Sequence, residues 1–276
     1  MKYIDISEHQ GIIDFEKVKG NVDGVMIRAG YGKNHIDKYY KRNASECNRL
    51  SIPCGAYWFS YAKTETEAAN EAYYLLDLVK PYRMELPLAY DFEYASVDNA
   101  TSQGVKVTKR LASSFVHAFC QAIEKGGYWC LNYTNQDFLS RLYDSNVASR
   151  YGLWLAAWAL SKPADLSKPP RSCAIWQWGG SSVPGINGNV DTNESYTDFP
   201  KMLLECGANH LTPIVQKPSE STGQTQTPKE DASADALAWA KSFKITDNAE
   251  IASALLKYHN TFVAPEDGKN ASGLLS

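Results

Sequence analysis

Leu86-Pro87-Leu88-Ala89-Tyr90-Asp91-Phe92-Glu93 is the stretch on which the reading of this chain turns. An apolar run ends in two carboxylates separated by one aromatic ring. Side chains of a β-strand alternate faces, so Asp91 and Glu93 are predicted to share one. Their Cα atoms would lie roughly 6.5 Å apart, at about 3.3 Å of rise per residue. Two acids so close titrate as a pair, because one negative charge makes the neighbouring proton harder to remove. Such a pair supplies a neutral acid and a carboxylate at one pH, the combination that glycosidic bond cleavage uses. Asp-x-Glu alone is a weak motif, since the solvated end of any strand can carry it. The rest of the chain has to decide.

Short apolar runs recur on both sides of this stretch, at 2–7, 24–30, 53–61, 128–133, 153–158, 174–178 and 188–193. Between them lie helical patterns. Asp14 is placed to cap a short helix over 15–19, and a second helix is expected over 38–50. Thr64 caps a longer one that reaches Val79, with Glu67 in the capping-box position. Over 106–125, Leu111, Phe115, Phe119 and Ile123 fall on one face, and Gly126-Gly127 stop the helix. Shorter helices are expected over 135–143 and 198–206.

Strands that alternate with amphipathic helices predict an α/β domain with a largely parallel core. With the opening stretch the sequence holds eight strand candidates. Helices are short or missing late in the domain. The expected fold is therefore an irregular (β/α) TIM-like barrel; an open doubly wound sheet is the alternative. Polar or aromatic residues sit at the C-terminal ends of separate strands: Asp5, Arg28, Tyr57, Asp91 with Glu93, Tyr133, Trp158, Gln177 and Asp191. In a barrel that end carries the active site. The recurrence turns a weak motif into a candidate catalytic pair.

Composition narrows the function further. The formal net charge is −3, and no basic run is present, so neither nucleic acid nor an anionic membrane surface is an expected partner. No apolar stretch is long enough to span a bilayer, and no signal peptide is read at Met1, so release from the cytoplasm by a holin-type or lytic route is expected. The six cysteines show no metal spacing and lie mostly in apolar runs, which predicts buried free thiols. The five histidines are scattered. No HExxH, phosphate loop or Gly-x-Ser-x-Gly elbow exists, so no metal and no cofactor is expected. His9, close to Asp5 in sequence, suits the cleft or a turn equally well.

Several segments occur together and in a characteristic order: Asp5-Ile6-Ser7 with His9-Gln10-Gly11, Gly55-Ala56-Tyr57-Trp58-Phe59, Asp91-Phe92-Glu93, Trp154 with Ala156-Ala157-Trp158, Trp176-Gln177, and Val190-Asp191 with Asn193. Over about residues 1–207 the chain resembles glycoside hydrolase family 25, the muramidase-type lysozymes of bacteria and their phages. The resemblance implies hydrolysis of the β-1,4 bond after N-acetylmuramic acid in bacterial peptidoglycan. It implies that Glu93 is the general acid and Asp91 its partner, with Asp5 and Asp191 in the same cleft. Arg28, Tyr57, Tyr133, Trp158, Trp176 and Gln177 are the candidate substrate-binding residues. Glu8 departs from the pattern, where many relatives carry a neutral residue or His. Burial and the charges of Asp91 and Asp5 are expected to keep Glu93 protonated. Whether Asp91 or the 2-acetamido oxygen of the sugar attacks is left open by the sequence.

The catalytic domain is expected to span 1–211. Pro, Ser, Thr, Gln and Lys dominate 212–234, a linker composition. Two short helical patterns follow within 235–276. The expected role of this small module is cell-wall targeting or self-association, with packing on the barrel as the alternative. For the domain, a chitinase-like glycosidase and a non-catalytic glycan-binding barrel remain the competing functions.

Overall fold

The computed structural model of the protein describes residues 1–159 and 162–212. The expected helical module, and all but the first residue of the expected linker, lie outside the described residues. In chain order the elements are β1 (Lys2–Ile6), α1 (Phe15–Val18), β2 (Gly24–Tyr31), β3 (His35–Ile36), α2 (Tyr40–Leu50), β4 (Cys54–Phe59), α3 (Glu65–Val79) and β5 (Leu88–Asp91). There follow α4 (Tyr94–Ser102), α5 (Lys109–Lys125), β6 (Cys130–Asn135), α6 (Gln136–Arg141), α7 (Ser145–Arg150), β7 (Gly152–Ala156), β8 (Ile175–Ser182), β9 (Asn189–Ser195) and α8 (Phe199–Glu205).

The strands pair in the order β1-β9-β8-β7-β6-β5-β4-β2, and β2 pairs back onto β1 to close the ring. The barrel expected from the alternating pattern is therefore present, and the open sheet is not. Each of the eight expected runs supplies one barrel strand. The short β3 forms a hairpin with β2 outside the ring. All ring pairings are parallel except those of β9, which runs antiparallel to both β1 and β8. A hairpin replaces the crossover that a parallel last strand would need.

Local signals explain most helix starts. The Thr64 hydroxyl accepts from the Glu67 N–H at 3.1 Å, and the Glu67 carboxylate accepts from the Lys63 N–H at 2.7 Å. The box thus closes on Lys63 rather than on Thr64. Thr108 caps α5 in the same way, three residues later than the pattern places its start. Asp14, by contrast, makes no side-chain cap bond. Two helices, α4 and α7, have weak apolar periodicity and go beyond the sequence expectation.

Period-two alternation divides the barrel into two environments. Ile4, Ile27, Ala56, Trp58, Leu88, Tyr90, Leu155, Trp176 and Trp178 point outward into the layer under the helices, to which Phe115, Phe119 and Ile123 of α5 also belong. Tyr3, Met26, Tyr57, Ala89, Leu131, Trp154 and Ile175 point inward. Phe199, Met202, Leu203 and Leu211 join this inner cluster. Gly55 belongs to the same face, where a Cβ would collide with the Pro87 carbonyl and the Leu86 side chain. All six cysteines are buried free thiols, as their apolar settings indicate.

Asn209 closes the end of the barrel where the parallel strands begin. It adopts the left-handed conformation, φ 55°, which Asn tolerates better than most residues. Its Oδ1 accepts from the Trp129 N–H at 2.7 Å, and its Nδ2 donates to the Met84 and Leu86 carbonyls at 3.0 and 2.9 Å. Three main-chain groups ahead of β5 and β6 are satisfied by one side chain. Asn209→Ala should lower stability by about 3 kcal/mol, at roughly 1 kcal/mol per buried hydrogen bond lost. Urea unfolding with an unchanged m-value would measure it.

Candidate active site

The polar residues that face inward gather at the opposite end, where the parallel strands finish. An open cleft of about 200 Å³ is lined there by Asp5, Arg28, Tyr57, Asp91, Glu93, Tyr133, Gln177 and Asp191, with Ser7, His9, Gln10, Phe59 and Trp154. Nine of the residues singled out from the sequence, His9 among them, thus meet in one place.

Asp91 is the last residue of β5, and the strand stops there. Glu93 lies beyond it as the cap of α4, with an extended backbone at φ −121° and ψ −172°. The shared face expected for the two acids survives because Glu93 is still extended, although it is no longer in the strand. Its N–H donates to Ser96 Oγ at 3.1 Å, which anchors the start of α4. Asp91 Oδ1 is buried without a hydrogen-bond partner among the described residues.

Asp5 and Asp191 stand opposite each other in the β1–β9 register. The sequence pattern places Asp191 at the C-terminal end of its strand. It lies instead near the start of β9, and it reaches the mouth because β9 runs the other way. Asn193, two residues on and therefore on the same face, donates through Nδ2 to Asp5 Oδ2 at 2.8 Å. Trp154 Nε1 donates to Asn193 Oδ1 at 2.7 Å and fixes that amide. Gln177 Nε2 donates to Asp5 Oδ2 at 3.0 Å and reaches Asp191 Oδ2 at 3.5 Å. Gln177 Oε1 accepts from the Tyr133 hydroxyl at 2.8 Å and from Trp158 Nε1 at 2.9 Å.

Arg28 is the sole lysine or arginine among the lining residues. Its Nε donates to Asp37 Oδ2 and its Nη2 to Glu8 Oε1, each at 2.9 Å. Asp37 Oδ2 also accepts from the Glu8 N–H at 2.9 Å. Nothing in the local sequence around Asp37 signals this role. Asn193 and Trp154, by contrast, are legible from strand alternation alone.

Two aromatic candidates part company. Trp158 is 60 % exposed and stands at the rim. Trp176 is not in the cleft: it is 5 % exposed in the outer layer, and its Nε1 donates to the Ala157 carbonyl at 2.9 Å. The reason is the alternation of β8, which turns Trp176 outward when Gln177 turns in.

Burial dominates the electrostatics. Asp5 is pushed from 3.8 to about 7, first by burial and then by the charge of Asp191, against the hydrogen bonds from Asn193 and Gln177. Burial raises Asp91 well above the carboxylate range, and the charges of Glu93 and Asp5 add to it. Glu93 and Asp191 are also raised by burial. The hydrogen bond shared by Asp91 and Glu93 raises Asp91 and lowers Glu93. The sequence leads one to expect that the charge of Asp91 holds a proton on Glu93. Both carboxyls are raised, chiefly by burial, and the two titrate as one coupled dyad.

An irregular barrel with paired acids at its mouth defines a glycosidase-type scaffold. Residues 4–186 match the glycosyl hydrolases family 25, and the chain belongs to that family. Among solved structures, the modular autolysin LytC from Streptococcus pneumoniae is 30 % identical over 70 % of this chain and 46 % of its own, with a TM-score of 0.57. The CTP1L endolysin is 24 % identical over 72 % of this chain and 68 % of its own, with a TM-score of 0.58. The spore cortex lytic enzyme SleM from Clostridium perfringens is 23 % identical over 70 % and 66 %, with a TM-score of 0.58. The chain thus spans less than half of the pneumococcal autolysin. No curated protein matches it significantly.

Raised carboxyls make stability depend on pH in a defined direction. The folded value of Asp5 lies above the 3.8 of the free side chain, so folding takes up protons. Its contribution is fully present below the unfolded value and is lost as pH rises through about 7. Asp5→Asn keeps an acceptor for Asn193 and Gln177 but carries no charge. Its melting temperature should fall less than that of the parent protein between about pH 4 and pH 8. A series of thermal melts checks this.

Proposed function

We propose that this chain is a peptidoglycan hydrolase that cleaves the β-1,4 bond between N-acetylmuramic acid and N-acetylglucosamine. The observation that carries the reading is the gathering of Asp5, Asp91, Glu93 and Asp191 at the barrel mouth, in a member of glycosyl hydrolases family 25. A glycosidic oxygen is a poor leaving group and needs a proton as the bond breaks. Glu93 is the more exposed member of the dyad, and it reaches a substrate oxygen more readily than Asp91, which is 4 % exposed. Glu93 is the general acid, and the dyad proton passes to it when substrate occupies the cleft.

Asp91 is only 4 % exposed, which limits its direct approach to a sugar carbon. This favours attack by the sugar's own acetamido oxygen, with Asp91 orienting that amide, a recognised exception to the two-carboxylate scheme. Tyr57 and Tyr133 are held above the ordinary phenol range by burial and by the surrounding acids. They stay neutral hydroxyls for sugar recognition, and Trp158 adds an exposed aromatic face at the rim. Glu93→Gln should cut wall lysis by about 10²–10⁴-fold with little change in melting temperature. Analysis of the reducing ends released from purified peptidoglycan and from chitin tests the bond. Reducing-end muramic acid supports the reading, and cleavage of chitin alone overturns it.

The segment beyond Leu211 is read as a wall-targeting or self-association module. Leu211 seats in the inner apolar cluster beside Asn209, at the end opposite the cleft. A holin-type or lytic release is read as the protein's route to the wall, by analogy with the endolysin it resembles. Deleting everything after Leu211 should leave hydrolysis of soluble glycan chains near normal. Binding to sedimented walls should fall, because a tethered module raises local concentration at its surface.

A further inference from the structure

Gln177 has no polar position left for a ligand. A side-chain amide offers two acceptor sites and two N–H groups. Here the acceptor sites serve the Tyr133 hydroxyl and the Trp158 indole. The amino group serves Asp5 and, at a longer 3.5 Å, Asp191. Gln177 itself is 2 % exposed. Gln177, a candidate substrate-binding residue from its place at a strand end, lines the cleft with its polar groups turned to protein partners. One of its four partners, Trp158, projects into solvent at the rim.

We propose that Trp158 and Gln177 form a fixed hydrogen-bond relay from the cleft rim to the Asp5–Asp191 pair, which makes Trp158 a positioning residue for those carboxylates as well as an aromatic face. The indole N–H and the Tyr133 hydroxyl orient the amide oxygen. Orientation of the oxygen aims the amino group at the carboxylates, since the two ends of a planar amide turn together. A sugar stacked on Trp158 would then hold this geometry at the moment of reaction.

The groups that face Asp5 are known from each side. Asp191 stands on β9, Asp91 on β5 with Glu93 beyond it, Tyr57 on β4 and Tyr133 on β6. Arg28 and His9 line the same cleft. The donors on Asp5 are Asn193 and Gln177, both neutral. Loss of the Gln177 donor removes one of the two hydrogen bonds that oppose burial. Asp5 should then protonate at higher pH.

The test compares Trp158→Phe, Gln177→Met and the double variant. Phe keeps a ring for stacking and loses the N–H, and Met keeps length and loses all polar partners. Trp158 is exposed, so Trp158→Phe is expected to fold even if Gln177→Met does not. The catalytic half of the inference rests on the glycosidase reading. Trp158→Phe should lower kcat about tenfold with KM little changed, and should move the acidic limb of kcat/KM to higher pH. The structural half needs no substrate. Both single variants should lose more melting temperature than the parent between about pH 4 and pH 8. The double variant should behave as Gln177→Met does, because the indole acts through the amide. A Trp158→Phe melting profile that superimposes on the parent, or additive effects in the double variant, would overturn the relay. A parent protein that cleaves no glycan would overturn the proposed function alone, and the melts would still judge the relay.

Discussion

The reversed direction of β9 is the constraint on which the site depends. A parallel eighth strand would need a crossover from β8 and would present its far end to the mouth. The antiparallel strand instead turns back directly from β8 and pairs with β1 in a register that sets Asp191 against Asp5. Asn193 falls two positions on and faces the same interior, which is why one strand supplies both an acid and the amide that restrains its partner. The β8–β9 register shifts between Gln177 and Gly179. A bulge at that point re-aims the strand after Gln177 has turned inward. Ring closure and assembly of the site are thus one event, carried by one hairpin.

The acids that meet there are stabilised mostly by keeping their protons. Buried carboxylates without cations are expensive, and the bonded donors around Asp5 are neutral amides. Neutral donors oppose burial without cancelling it, so the carboxyls stay raised. A cluster of raised carboxyls is suited to holding a proton and giving it up, whereas strong ion pairing would have locked every acid as a carboxylate. The stability lost by burying these groups and the chemistry they make available have the same physical origin.

How much of this is legible in the sequence depends on whether a feature obeys alternation. The barrel, its eight strands and most of the cleft follow from apolar runs and from the polar residues at their ends. Trp176 is misplaced by that reading because an aromatic beside a polar residue looks like part of one site, while the strand turns them to opposite faces. The error is avoidable: Gln177 and Trp176 cannot both face inward. The place of Asp191 is hidden for a different reason. Strand direction is a property of the ring and leaves no local mark in the sequence. Asp37 is invisible because its partner Arg28 lies across a hairpin, and only the folded backbone brings them together. The start of α4 escapes notice because Glu93 serves both as cap and as candidate acid, and the second role masks the first.

Arg28 shows how Glu8 fits this logic. A guanidinium in the cleft lowers Asp91, and a direct ion pair would lower it far more. Asp37 takes one edge of the guanidinium, and Glu8 takes the other at 2.9 Å. Glu8 adds a charge near the cleft and shares Arg28 with Asp37, while the remaining guanidinium nitrogen lies 3.5 Å from His9 Nε2. The same pair tethers the turn after β1, since the Glu8 N–H also meets Asp37. One residue thus pairs with Arg28 and fixes the turn, while Asp91 and Glu93 keep their raised carboxyls beside each other.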